Sequence, residues 1–237
     1  MHRYSTRDII VLALIGALVI WYFSQSSRFG SPESFALSIA ALIVAVTFHE
    51  FAHAFVALQL GDVTAKLLGR VSLNPIRHLD LFGSLAFLFV GFGWGKPVPI
   101  NANNMRGVSP MVGYAISALA GPASNVLLAF LVTIPFRFDA LPMQSLDPMV
   151  IRFAEALISI NILLAAFNFL PIPPLDGFSL ARLFLPRHIS DWLEQYGMFV
   201  LIALVFIPQF LGPQFDLLRM LTTPLRAAIS AIVFFGM

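Results

Sequence analysis

Apolar residues fall in runs divided by short polar stretches, and each run can be tested against a bilayer. A helix needs about 20 apolar residues to cross the hydrocarbon core. Ile9 to Phe23 is a short run flanked by Arg3 and Arg7. Phe35 to Leu60 is long enough to span, Met111 to Phe136 is rich in Ala and Gly, and Met149 to Leu170 ends at Pro171, Pro173 and Pro174. Two weaker runs follow, Phe199 to Leu211 and Leu221 to Met237. These two fit spanning helices, a hairpin or amphipathic pieces. Leu81 to Gly93 holds only 13 residues and is broken by glycines. It reads as a re-entrant or interfacial element, tolerated at membrane depth only where protein or water surrounds it. The flanking segments, Thr64 to Asn74 and Gly95 to Asn101, read as extended. Pro97 and Pro99 suit an edge strand rather than a helix.

Composition agrees with the pattern. Of 237 residues, 59% are hydrophobic and 11% charged, against about 25% charged in an ordinary soluble domain. The mean hydropathy is +0.87. Too few charges are present to solvate a soluble surface, so fibrous, disordered and nucleic-acid-binding classes are excluded. The expected fold is an all-α polytopic membrane protein. It has about six transmembrane helices, with a re-entrant or short β element between the second and third. The chain divides into an N-terminal anchor helix and loop (1–34), a catalytic membrane core (35–185) and C-terminal membrane helices (186–237). With no small-residue cleavage signal close behind it, the first run reads as a retained anchor. With the N-terminus in the cytoplasm, Lys66, Arg70, Arg77, Lys96, Arg106, Arg182 and Arg187 fall inside, as basic loops do. Arg28 and Arg137 fall outside, and Arg219 and Arg226 would lie outside against the trend. Cysteine is absent, so any metal site must use His, Asp, Glu, Asn or water.

The second run carries His49-Glu50-Phe51-Ala52-His53. Residues four apart share a helix face. Two imidazoles at that spacing can hold one zinc ion, with the intervening Glu in reach of its water. Chance gives on the order of 0.001 such matches in a chain with five His. Three ionisable groups inside an apolar run are costly in lipid and point to function. Leu60 lies 11 residues beyond His49, so the site sits about 16 Å from that helix end, within the bilayer. Catalytic zinc usually has three protein ligands and an open position. The best third ligand is Asp176, in Asn168-Phe-Leu-Pro-Ile-Pro-Pro-Leu-Asp176-Gly177. Prolines stop the fourth run's helix at Leu170 and can fold Asp176 back, and Gly177 permits a sharp turn. The same Asp-Gly also reads as a plain turn.

These motifs, with Gly121-Pro122-Ala123-Ser124-Asn125 between them and the stretch Gly61-Asp62-Val63-Thr64 to Asn74-Pro75, resemble the site-2 protease family of intramembrane zinc metalloproteases. The resemblance covers roughly residues 35 to 185 and is of the compact prokaryotic type. It implies one zinc ion per chain, held by His49, His53 and Asp176, with Glu50 as the catalytic glutamate. It implies that Asn168 steadies the substrate or the oxyanion and that Asn125 is structural or positions substrate. The implied activity is hydrolysis in or near transmembrane segments of membrane-protein substrates in the lipid bilayer, for regulated proteolysis or clearance of signal-peptide remnants. The active site would face the cytoplasmic side of the cell membrane. The chain departs from many members at Phe178, where they have a second Gly. It also departs in the short Arg137 to Pro148 loop, which holds no inserted PDZ domain, and no C-terminal regulatory domain is expected.

Other polar residues have plainer readings. His78 and Asp80 are possible ligands, but loop anchoring or a bond to backbone suits them better. Arg152 and Glu155 form an i,i+3 surface pair. Asn161 shares a helix face with Asn168 and either supports the site or packs between helices. A cation transporter would show repeated halves, and none is visible. An inactive scaffold would have a broken ligand set, whereas every ligand and Glu50 are present.

Overall fold

The computed structural model describes residues 31–80, 95–138 and 146–236. The run Ile9 to Phe23 and the segment Leu81 to Gly93 lie outside the described residues. Three long helices form the frame: α1 (Pro32–Gln59), then, after a single turn α2 (Thr64–Leu67), α3 (Pro110–Arg137) and α4 (Pro148–Asn168). They start alike. Ser31, Ser109 and Asp147 each accept a backbone N–H of the first turn through a side-chain oxygen, and each is followed by proline. Proline's fixed φ and missing N–H suit the first helical position, so the boundary is written locally.

The three helices pack against one another through small residues. Ala41, Ala45, Ala54 and Ala57 of α1 and Ala129 of α3 are fully buried. Small side chains let helix backbones approach closely where lipid removes the hydrophobic drive between helices. Four helices among the described residues are long and apolar enough to cross a membrane: α1, α3, α4 and α6 (Arg187–Leu211), which follows the short α5 (Asp176–Ala181). The last helix, α7 (Leu217–Val233), is amphipathic, and its Ile229 and Val233 complete a core with Ala129, Ile162, Ala165 and Ala166.

The course of α7 corrects a sequence expectation. Leu218 packs with Leu170, Leu175 and Leu201 at the end of the bundle where α4 finishes. At the opposite end the Val233 carbonyl accepts from Arg137 at 2.9 Å. So α7 runs parallel to α3, and Arg219 sits at the same end as Asp176 rather than opposite the other loop cations. α6 starts beside α5, through the Arg182–Glu194 ion pair, and hands over to α7 at that same end. Among the described residues, α1, α3, α4 and α7 run between the two ends of the bundle.

The polar segments at the Gln59 end also differ from expectation. No strand forms among the described residues. Residues 64–67 are helical and residues 75–77 make a 3₁₀ turn capped by Asn74. Asp62 accepts from the Thr64 N–H and hydroxyl, which closes the chain into a turn, and Asn101 and Asn104 hold that carboxylate in place from farther along the chain. Among the described residues the extended backbone pairs at one isolated antiparallel bridge, Leu79 with Gly95. Arg152 pairs across helices with Glu33 at 3.3 Å, not with Glu155 along its own helix.

Candidate metal centre

The centre is assembled from α1, α3 and the chain after α4. One turn of α1 presents His49 and His53 on the face that meets α3, with their rings edge to face and 4.6 Å apart. Both are buried, as is Glu50 beside them. The helix they face must lie very near. A β-carbon at Gly121 would collide with the His53 ring and come within 2.6 Å of the His49 Cε1 atom. Glycine at 121 is therefore what lets α3 close on the histidines.

Asp176 reaches the same point by another route. After Asn168 the chain makes successive turns, not an extended stretch, with Ile172 N–H bonded to Leu170 O and Leu175 N–H to Ile172 O. Leu170 and Leu175 are buried together against Leu201, which clamps the turn. Asp176 then opens α5. Gly177 has ordinary helical backbone but lies so tightly on Phe169 that a β-carbon would meet that carbonyl oxygen. Close approach, not a left-handed φ, is why glycine stands there.

The ligand atoms converge. His49 Nε2 lies 3.1 Å and His53 Nε2 3.4 Å from Asp176 Oδ2, and the two Nε2 atoms are 3.0 Å apart. On the far side of the rings, His53 Nδ1 meets the Ser117 carbonyl and His49 Nδ1 meets Asn125 Oδ1, both at 2.7 Å. A carbonyl and an amide oxygen only accept, so each Nδ1 donates. In the neutral rings both Nε2 atoms then carry lone pairs. Two lone pairs and a carboxylate oxygen face one another, and Asp176 Oδ2 is buried with no hydrogen-bond partner. A cation answers all three at once. Atoms about 2.0–2.2 Å from a shared tetrahedral centre lie about 3.3–3.6 Å apart, close to the separations found. Among the described residues, these three are the group of His and acidic residues disposed to hold a metal ion. His, His and a carboxylate form a donor set that suits zinc.

Glu50 sits at the edge of this face, beneath the segment that follows residue 94. A β-carbon on Gly95 would be 3.0 Å from Glu50 Oε1. Arg70 pins that segment, donating to the carbonyls of Lys96 and Pro97. Burial pulls the Arg70 guanidinium below its ordinary range, and the negative charge of Glu50 offsets this only in part.

The remaining polar residues sort by their bonds. His78 is fully buried and gives Nε2–H to the Ser72 carbonyl at 2.6 Å, the backbone role and not a ligand's. Asn168 turns its amide back to the Leu164 carbonyl at 3.0 Å, one turn before the loop to Asp176. Asn125 and Asn161 are both fully buried and bonded to each other at 2.7 Å. Sequence reasoning missed Gly121, Gly95 and Arg70. Gly121 stood inside the GPxxN pattern, but nothing local says that its missing side chain makes room for two imidazoles.

Comparison with known proteins agrees with this chemistry. The model of peptidase family M50 matches residues 139–208. The protein named "Putative zinc metalloprotease YwhC" of Bacillus subtilis is 37% identical over 177 residues, which cover 72% of this chain and 80% of that protein. Rip2 of Mycolicibacterium smegmatis, described in the same terms, is 28% identical over 216 residues, covering 84% of this chain and 78% of that protein. MJ0611 of Methanocaldococcus jannaschii, again so described, is 29% identical over 179 residues, with 75% and 84% covered. No solved structure gives a significant match.

Proposed function

The chain belongs to peptidase family M50, the site-2 proteases, and is a membrane zinc metalloprotease; on that footing we propose that it hydrolyses peptide bonds in or beside the transmembrane segments of membrane-protein substrates. The observation that carries this is the meeting of His49, His53 and Asp176 at one buried point, with Glu50 on the same turn of α1.

In this reading residues 35–185 are the catalytic core, and His49, His53 and Asp176 hold one zinc ion. Bound there, zinc supplies a Lewis acid and a nucleophilic water at neutral pH. Glu50 takes the proton of the attacking water and passes it to the leaving amine. Asn168 donates to the oxyanion, a stabilisation worth about 3 kcal/mol in comparable sites. Asn125 holds His49 in register. The end of the bundle bearing Asp176 also bears Lys66, Arg182 and Arg219, and an excess of basic residues marks the cytoplasmic side. The substrate helix must unwind to be cut. The segment from Gly95 to Asn101 lies next to Glu50 and is the edge along which an extended substrate would pair. Thr64–Leu67 form a helical turn and offer no such edge.

The test is cleavage of a panel of single-pass model substrates by purified protein in liposomes, beside Glu50→Gln, with zinc measured in both. Zinc in both and cleavage by wild type alone is the expected result. Proteolysis by Glu50→Gln would overturn the assignment of the base.

A further inference from the structure

The two histidines are oriented by different means. His53 donates to a backbone carbonyl, which cannot turn round. His49 donates to the side-chain amide of Asn125, and an amide can present either its oxygen or its NH₂. With NH₂ toward His49, the ring would have to carry its proton on Nε2, where it would block a metal. What holds the amide the right way is visible in its other bonds. Asn125 Nδ2 donates to the Ala45 carbonyl at 3.1 Å and to Asn161 Oδ1 at 2.7 Å. Asn161 is itself an amide, and its direction is set because Nδ2 donates to the Leu157 carbonyl at 2.8 Å. Both asparagines have no exposed surface, so water does not compete for any of these groups.

From this chain of donors we infer that Asn161 is a positioning residue for the metal centre. It gives Asn125 a second acceptor and thereby secures the His49 tautomer that leaves Nε2 free for zinc. The polarity starts at a backbone carbonyl of α4, crosses Asn161 and Asn125 on α3, and ends at His49 on α1. The bonds next outward from a metal ligand commonly change metal affinity about 10- to 100-fold. The inference rests on His49 being a ligand, and the experiment separates the two.

Zinc affinity of the purified full chain in detergent is measured by competition with a chromophoric chelator, together with thermal unfolding of the metal-free protein. Asn161→Leu fills the space but removes the acceptor. Asn161→Asp keeps an oxygen for Asn125. The expected outcome is zinc affinity about 10-fold or more weaker in Asn161→Leu, and within about threefold of wild type in Asn161→Asp. The Co²⁺ absorption spectrum should shift in the Leu variant and be restored in the Asp variant. A mere packing role predicts lower unfolding temperature with unchanged zinc affinity, and that result overturns the inference. So does equal weakening by both variants. If Asn161→Leu does not give folded protein, Asn161→Ala makes the same comparison with Asn161→Asp. His49→Ala binding zinc as tightly as wild type would remove the ligand reading and this inference with it. His49→Ala losing zinc while Asn161→Leu retains it would overturn this inference alone.

Discussion

Two aspartates show how a finished structure differs from a site. Asp62, just past α1, is fully buried and surrounded by donors. It accepts from the Thr64 N–H and hydroxyl, the Asn101 N–H at 2.7 Å and the Asn104 side-chain amide at 3.1 Å. Asp176 is also largely withdrawn from solvent, but its Oδ2 faces two imidazole nitrogens that, in the neutral rings, carry lone pairs because each ring's proton sits on Nδ1. The first carboxylate has its charge fully answered by the chain. The second has partners that answer it only with a cation between them. Burial does not separate the two roles; the kind of atom opposite the oxygen does. The same contrast explains their places. Asp62 stitches the segment holding Asn101 and Asn104 to the end of α1, whereas Asp176 leaves a valence to be filled.

If this contrast is right, Asp176→Asn has the largest effect. Zinc stoichiometry should fall well below one per chain and proteolysis should disappear, while circular dichroism of the helices stays near wild type. Full zinc content in that variant would put the third ligand elsewhere. Next comes Gly121→Ala, which leaves all ligands in place but drives a methyl group into the His49 and His53 rings. A loss of zinc affinity of about 10-fold or more is expected, with helical content kept, and an unchanged affinity would show that α3 can retreat.

Asp62→Asn should do the opposite of Asp176→Asn. An amide cannot accept from all those donors, and the cost is about 1–3 kcal/mol of stability, read by denaturant unfolding, with zinc binding retained by the folded protein. The pH dependence sharpens the point. Burial alone would raise the Asp62 carboxyl, but bonds from Thr64, Asn101 and Asn104 hold it below its usual range. A carboxyl depressed in the folded state adds stability that is fully present above its unfolded pKa of about 4. That stability is lost as pH falls through the lower folded value. Wild type should therefore lose stability in that acid range more steeply than Asp62→Asn. Parallel curves for the two proteins would contradict it. The smallest effect is Arg152→Ala. Its pair with Glu33 is about half exposed on both sides, and exposed pairs contribute about 0.2–1 kcal/mol. Calorimetry should show a shift in unfolding temperature near the limit of detection.

Much was legible in the linear pattern because its causes are local. The apolar runs and the spacing of His49 and His53 each depend on residues within a turn or two. Asp176 was legible too, through prolines that forbid α4 from continuing. The turn at Thr64–Leu67 was misread as extended because the deciding contacts come partly from Asn101 and Asn104, some 40 residues away in the chain.

What only the tertiary structure decided is what each polar group faces. Asn161 could be read as glue between helices until its oxygen was seen to point at Asn125, and Arg152 as a partner of Glu155 until Glu33 stood closer. The direction of α7 followed from Leu218 meeting Leu170 and Leu175, since hydropathy carries no sign for which way a helix crosses. The sequence by itself determined which residues are able to bind a metal and on which helix face they stand. The fold determined which acceptors are left without donors, and a hydrogen bond's polarity across three helices is a property of the assembled bundle alone.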